Sequence, residues 1–346
     1  MSNKILLSVV IPVYNGEKYI SNLLDRLCKD LTEGIELIII DDGSNDYSVE
    51  KIKPFVNGNT SVKLVTQKNM GAASARQRGL DCCNGEYITF IDCDDWIKEG
   101  YLETIKILIC NNLDVDIFVT SYRTIYSEKC IFNRINENKI YSNTRDYVIN
   151  IMNGTIKGEN ALWNHIYKLD FLKTNNIKFN LKSKIAEDSL FNDLCILAKP
   201  IIMTSSYDGY VWKCGHESLT GRCPDNMCET LNKHIHNLEK IIEVYKIDKR
   251  IYLEYYISVK KWSFEYYVNN IINSRFSKRK KRQHLKTALF ELLDEDIATN
   301  RNKKNILYLI AMNKKSILPI YINYYKNKAL AVVGYFINKT GRIFGV

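Results

Sequence analysis

No stretch of this sequence reaches the roughly 18–20 consecutive apolar residues that a membrane-spanning helix needs. No basic-then-apolar leader opens it either. Met1-Ser2-Asn3-Lys4 runs straight into an apolar strand, so no secretion signal is expected and the expected compartment is the cytoplasm. The ten cysteines lack the repeated C-x₂₋₄-C pairing of a structural zinc site, even where Cys214, His216, Cys223, Cys228, His234 and His236 crowd into one short span. In a leaderless chain they read as free thiols rather than a disulfide framework, with zinc the alternative. Internal repeats and low-complexity linkers are also missing. What remains is 346 residues of ordinary globular composition, 46% hydrophobic and 25% charged, enough for more than one packed unit at about 100–200 residues each.

The charge of +10 is uneven. Residues 231–346 hold 23 Lys/Arg against 9 Asp/Glu, whereas residues 1–230 hold 26 against 30. The basic third, with its run Ser277-Lys278-Arg279-Lys280-Lys281-Arg282, suits an anionic membrane surface or nucleic acid, or is a solvated helical face. Nothing else in the chain supports nucleic-acid readout. From Leu231 onward the apolar spacing is helical, and Ile317 to Phe344 reads as an interfacial segment with snorkelling lysines, or as an appendage covering the first domain or a second subunit.

The first half alternates between two periods. Leu6 to Val13 is a β-branched run buried on both faces. Ile20, Leu23, Leu24 and Leu27 then keep helical spacing, and Ile35 to Ile40 is a second strand ending in Asp41-Asp42-Gly43-Ser44. A helix from Tyr47, a strand over Val62–Thr66, a small-residue helix from Gly71 to Leu80 and a strand over Glu86–Ile91 follow. A helix over Ile97–Cys110 and a strand over Asp116–Thr120 complete the alternation. The pattern predicts an α/β domain with a largely parallel sheet.

In such a sheet ligands bind at the carboxyl ends of the strands, and polar residues stand at several of those ends here. Asp42 can accept hydrogen bonds from a base or ribose, or belong to an ordinary Asp-Gly turn; Gly43 permits that turn. Asn69-Met70-Gly71-Ala72-Ala73-Ser74-Ala75-Arg76 opens a helix with small residues, suited to phosphate at its N-terminus with Arg76 adding charge, and equally suited to close packing on the sheet. The apolar strand at Phe90-Ile91 ends in Asp92-Cys93-Asp94-Asp95, three carboxylates in four positions. These suit a hard divalent cation, Mg²⁺ or Mn²⁺, that also binds phosphates, or they cap the following helix.

The order Pro12-Val13-Tyr14-Asn15, Asp41-Asp42-Gly43-Ser44, Asn69 to Arg76 and Asp92-Cys93-Asp94-Asp95 resembles the family 2 glycosyltransferases of the GT-A fold. Each motif alone is weak; four in order within the first 95 residues are specific. The resemblance implies a GT-A (Rossmann-like nucleotide-diphospho-sugar transferase) domain followed by a mainly helical C-terminal region. The expected division is residues 1–225, with a donor half 1–120 and an acceptor half 121–225, then 226–346. It implies a uridine diphosphate sugar as donor and Mn²⁺ or Mg²⁺ as cofactor. Pro12 and Tyr14 match the segment around the uracil, Asp42 the carboxylate at the base edge and Arg76 a residue near ribose or phosphates. Asp92 matches the ribose side of the family's D-x-D and Asp94 the metal side. Asn15, Asp41, Asn69 and Cys93 fall inside the same motifs. Met70 departs from the pattern, where a second glycine is common.

Further on, Ala186-Glu187-Asp188-Ser189 resembles the family's acidic pair at a helix start. That match implies Asp188 as general base for an acceptor hydroxyl, Glu187 as its positioning neighbour and an inverting transfer; the alternative is a pair that only complements the helix dipole. His216 and Ser218 stand where family members carry a loop over the donor diphosphate, and Leu162 to Lys168 where aromatic-Lys segments flank the acceptor. The implied acceptor is a growing glycan of the capsule, exopolysaccharide, O-antigen or cell-wall type, on a lipid carrier or a surface polymer. A phosphoaspartyl hydrolase using Asp92-Cys93-Asp94, and a subunit that binds nucleotide sugar without turnover, are the readings of other classes.

Overall fold

The computed structural model describes residues 4–126, 129–133, 135, 137–156, 161–183, 185–214, 227–273, 277, 279–281, 283 and 284. Its centre is β1 (Leu7–Val13), whose residues alternate between two apolar layers. Val9, Ile11 and Val13 meet α1 (Ile20–Lys29), which buries the predicted Ile20, Leu23, Leu24 and Leu27. Val10 meets α3 (Ala72–Cys82) on the other side, so closely that a Cβ on Gly79 would stand 2.3 Å from Val10 Cγ1. The small residues of α3 therefore do pack the helix on the sheet, whatever else its N-terminus does.

β1 pairs in parallel with β2 (Ile35–Asp41), which is buried throughout, and β2 in turn with β3 (Val62–Thr66); α2 (Ser48–Val56) connects them. The chain then crosses back, and β4 (Tyr87–Phe90) pairs in parallel with β1 on its other edge. This reversal of winding direction between β1 and β4 makes a crevice at the carboxyl ends of the strands.

Beyond β4 the sheet is mixed, which the strand–helix alternation did not predict. β5 (Trp96–Ile97) lies antiparallel on β10, where the sequence pattern reads as the start of a helix; α4 (Tyr101–Cys110) begins only after the left-handed Gly100. The crossover through α4 sets β6 (Ile117–Tyr126) parallel to β4 with a gap between them. β9 (His165–Lys168) fills the gap, antiparallel to both. β7 (Lys129–Asn133) and β8 (Lys139–Tyr141) are short antiparallel additions, followed by α5 (Thr144–Met152). After β9 come α6 (Leu169–Thr174), α7 (Glu187–Leu197) and β10 (Ile202–Cys214), the last parallel to β6. The strand order is β3-β2-β1-β4-β9-β6-β10-β5. Ile20 and Leu23 belong to one apolar layer and Phe171, Phe179 and Phe191 to the other, so helices cover both faces.

α8 (Met227–Val244) and α9 (Lys249–Asn273) realise the predicted helical pattern. The chain divides into two compact units, Met1–Tyr255 and Tyr256–Val346. The expected boundary at 225 falls outside the described residues, and the first unit continues through α8, where Tyr245 Oη donates to the Ile196 carbonyl of α7 (2.5 Å). In the second unit Lys260 and Ser263 are buried. Among the described residues no helix is long and apolar enough to cross a membrane. The expected interfacial segment, Ile317 to Phe344, lies outside them. Cys28, Cys82, Cys83, Cys93, Cys110, Cys195 and Cys228 are free thiols, as expected.

Candidate active site

Two loops at the carboxyl ends of β1 and β2 are laced together. Asn15, left-handed at φ 53°, donates its N–H to Ser44 Oγ (2.9 Å) and accepts from the Asn45 N–H at its Oδ1 (2.9 Å). The Gly16 N–H donates to Ser48 Oγ (2.8 Å). Pro12 and Tyr14 are half-buried at the mouth of this pair, and Asn15 is exposed. Asp41, 3% exposed, accepts from the Ser44 N–H. Asp42 is equally buried and faces inward: it accepts from Gln67 Nε2 (2.8 Å), the Met70 N–H (2.9 Å) and the Gly71 N–H (2.8 Å). Three of a carboxylate's roughly four acceptor positions are thus spent bracing the loop that carries the exposed Asn69. Gly43 has no room for a side chain, since a Cβ there would stand 2.8 Å from Asn69 N, and its φ is +72°.

The acidic turn divides its labour. Asp92 stays part-exposed and gives Oδ1 to Arg76 Nη2 at 2.9 Å. Cys93 packs beneath Gly16, and burial pushes its thiol well up, away from thiolate. Asp94 is part-exposed. Asp95 is 3% exposed and accepts from Tyr210 Oη (2.6 Å) and the Lys213 N–H (2.9 Å); burial first, then the nearby Asp92, pushes it up to about 8.

Arg76 ties this turn to a distant part of the chain. Its Nη1 reaches Glu187 Oε1 at 2.5 Å, so one guanidinium spans the acidic turn and the first turn of α7. The next residue, Asp188, accepts from the Ser189 N–H (2.8 Å). Burial first, then the neighbouring Glu187, raises Asp188 to about 7, against the opposing pull of Arg76. A carboxyl tuned to that range can accept a proton near neutral pH, which an ordinary carboxylate does poorly.

Residues 8–165 match the family model described as Glycosyl transferase family 2. The match covers a little under half of the chain, from β1 to the start of β9. The chain is 28% identical over 222 residues to the glycosyltransferase GlyA of Streptococcus pneumoniae, a match covering 62% of this chain and 31% of GlyA. It is 37% identical over 118 residues to GlyG of the same organism, covering 34% of this chain and 39% of GlyG. The chain therefore spans about a third of the length of these curated relatives. In fold it is similar to S. aureus TarS 1-349, solved in complex with UDP-GlcNAc, with a TM-score of 0.68 at 20% identity, over 91% of this chain and 89% of that one. The GT-A architecture expected from the resemblance is the one observed.

Sequence reasoning missed Tyr210, one aromatic in a strand that gives no sign of what its hydroxyl meets. Tyr210 is fully buried, stacks on Trp163 at 4.6 Å and also accepts from the Asp92 N–H (3.3 Å). It clamps both ends of the acidic turn. Tyr210→Phe leaves Asp95 buried with one partner fewer, at a cost of about 1–3 kcal/mol. The expected drop in melting temperature is roughly 2–10 °C, read by calorimetry. Trp163, in the segment compared with acceptor-flanking aromatics, is packed between Tyr122 and Tyr210 and only 7% exposed. His216 and Ser218 lie outside the described residues, as do Cys223 and part of the Cys/His span.

Among the described residues no three His, Cys, Asp or Glu side chains are arranged to hold a metal ion by themselves. Asp92 and Asp94 nonetheless offer hard oxygens at a part-exposed turn. That donor set fits Mg²⁺ or Mn²⁺ with most of its coordination positions left to water and ligand phosphates. His234, in the sequence span read as thiol or zinc, instead pairs through Nδ1 with Asp193 of α7 at 2.8 Å.

Proposed function

We propose that the chain transfers a sugar from a uridine diphosphate sugar to a hydroxyl of a growing glycan, with inversion at the anomeric carbon. The observation that carries this reading is the ion-paired bridge from Asp92 through Arg76 to Glu187, which brings the acidic turn and the buried, proton-seeking Asp188 into one site. The acceptor oxygen attacks the anomeric carbon from the face opposite the diphosphate. The bond to the diphosphate oxygen breaks, and the hydroxyl proton passes to Asp188. A bound divalent cation would supply neutralisation of the charge left on the diphosphate. Pro12 and Tyr14 border the base, Asp92 faces the ribose and Asp94 the cation. The UDP-GlcNAc in the complex of TarS supports a uridine diphosphate donor, and the family 2 match over residues 8–165 supports transfer. The basic residues 231–346 would bring the site to an anionic surface that carries a lipid-linked acceptor.

The test is a panel of uridine diphosphate sugars with Mn²⁺ or Mg²⁺ and membranes of the source cell as acceptor, read by release of uridine diphosphate. One donor of the panel is expected to turn over. Binding of uridine diphosphate by calorimetry with no release across the panel would instead identify a subunit that holds the nucleotide without transfer.

A further inference from the structure

We propose that Arg76 is a positioning residue, which locks the first turn of α7 against the acidic turn, and not a contact for the donor's ribose or phosphates. The inference rests on the reading of Asp188 as base. α7 begins without a side-chain N-cap. Its N-cap residue, Ala186, is left-handed at φ 50° and contributes no side-chain hydrogen bond, so the turn bearing Glu187 and Asp188 has no local cap to define it. The later turns of the same helix are fixed from outside. Tyr167 Oη of β9 donates to Asn192 Oδ1 (2.6 Å), and His234 of α8 pairs with Asp193. Arg76 is the matching anchor for the first turn, reaching Glu187 across 111 positions of sequence.

The charge balance points the same way. Asp92, Glu187 and Asp188 converge, and like charges at that range repel. One guanidinium placed between Asp92 and Glu187 offsets that repulsion. Its side chain is 10% exposed, and both terminal nitrogens are engaged by carboxylates. A diphosphate arriving nearby would have to compete with carboxylates already paired in a partly desolvated setting. A planar fork that binds two acids at once suits this bracing role better than a lysine would.

The two roles separate cleanly in kinetics. Loss of a phosphate contact weakens the donor complex; loss of a positioner lowers the chemical step. For Arg76→Gln the expected result is a fall in kcat of about 10²-fold with the donor KM changed less than about threefold. The dissociation constant of uridine diphosphate by calorimetry is expected to stay near that of the wild type. Arg76→Lys, which keeps the charge but can reach only one carboxylate well, is expected to recover part of kcat and guards against a simple folding failure in the glutamine variant. Glu187→Gln should lower kcat similarly, and the double variant Arg76→Gln/Glu187→Gln should cost little more than either alone, because both break one link.

Amide hydrogen exchange provides a readout that needs no turnover. The Ser189 and Leu190 amides should exchange faster in Arg76→Gln while the Asn192 and Asp193 amides hold. A weakened uridine diphosphate complex with kcat preserved, or unchanged exchange at the start of α7, would overturn the proposal. Absence of turnover in the wild type would overturn the reading of Asp188 as base and leave the exchange result to decide the bracing role.

Discussion

With Asp188 as the proposed base, Asp188→Asn is expected to lower kcat by about 10²–10⁴-fold, the usual worth of a positioned general base, while uridine diphosphate binding by calorimetry stays unchanged. Asn keeps the oxygen that accepts the Ser189 N–H, so the start of α7 is preserved and only the proton acceptor is lost. The pH profile of the wild type carries the same information. Burial first, then Glu187 on its own helix and Asp92 from the acidic turn, lift Asp188 to about 7, against Arg76 from α3 and the Ser189 N–H; Tyr167 of β9 and His234 of α8 also face its charge. Because the base works ionised, kcat is expected to fall about tenfold per pH unit below that point, and Asp188→Asn should flatten this limb.

Stability has the opposite sign. The folded-state pKa of Asp188 is raised above its ordinary 3.8, so its contribution to stability is fully present below about pH 4 and is lost as pH rises through about 7. At pH 8 the ionised, buried carboxylate costs stability. Asp188→Asn is therefore expected to melt above the wild type at pH 8 and close to it at pH 4, read by calorimetry at the two pH values. A variant that is more stable and nearly inactive is what a site held in a strained charge state for catalysis predicts.

What could be seen in the sequence follows from how local each signal is. The apolar run of β1 and the spacing of Ile20, Leu23, Leu24 and Leu27 are decided by period alone, and both elements formed as read. Glu187 and Asp188 begin a helix as their placement predicts. The antiparallel β9 is four residues long, too short for a period to declare itself, and its place between β4 and β6 depends on a gap that the α4 crossover creates. β5 is two residues long and exists only because β10 offers it an edge. Asp42 shows the same limit within the site. A carboxylate after a strand can face a ligand or brace a neighbouring loop, and the path of residues 67–71 decides, a matter of tertiary structure. The pairing of Arg76 with Glu187 and the hydroxyl of Tyr210 against Asp95 join parts of the chain more than a hundred positions apart, where no spacing rule reaches.

Asp94→Asn is expected to lower kcat on the order of 10³-fold, the rate equivalent of the several kcal/mol that charge neutralisation of a leaving group supplies. The three acids of the turn are not interchangeable. Asp95 is buried, with both oxygens on β10 and its proton held up to about pH 8, so it serves the turn's shape. Asp92 shares one oxygen with Arg76, and its charge is partly spent on the bridge to α7. Asp94 keeps a part-exposed position on the same turn and is the residue that the D-x-D resemblance assigns to the cation. Replacing its carboxylate by an amide removes a full charge and a hard ligand while keeping size. The distinguishing measurement is calorimetry of uridine diphosphate with and without Mn²⁺. The wild type should bind more tightly with the cation, and Asp94→Asn should show the same affinity in both, whereas Asp95→Asn should keep the difference. An unchanged cation effect in Asp94→Asn would move the cation to Asp92 and would predict that Asp92→Asn loses it, together with the Arg76 bridge.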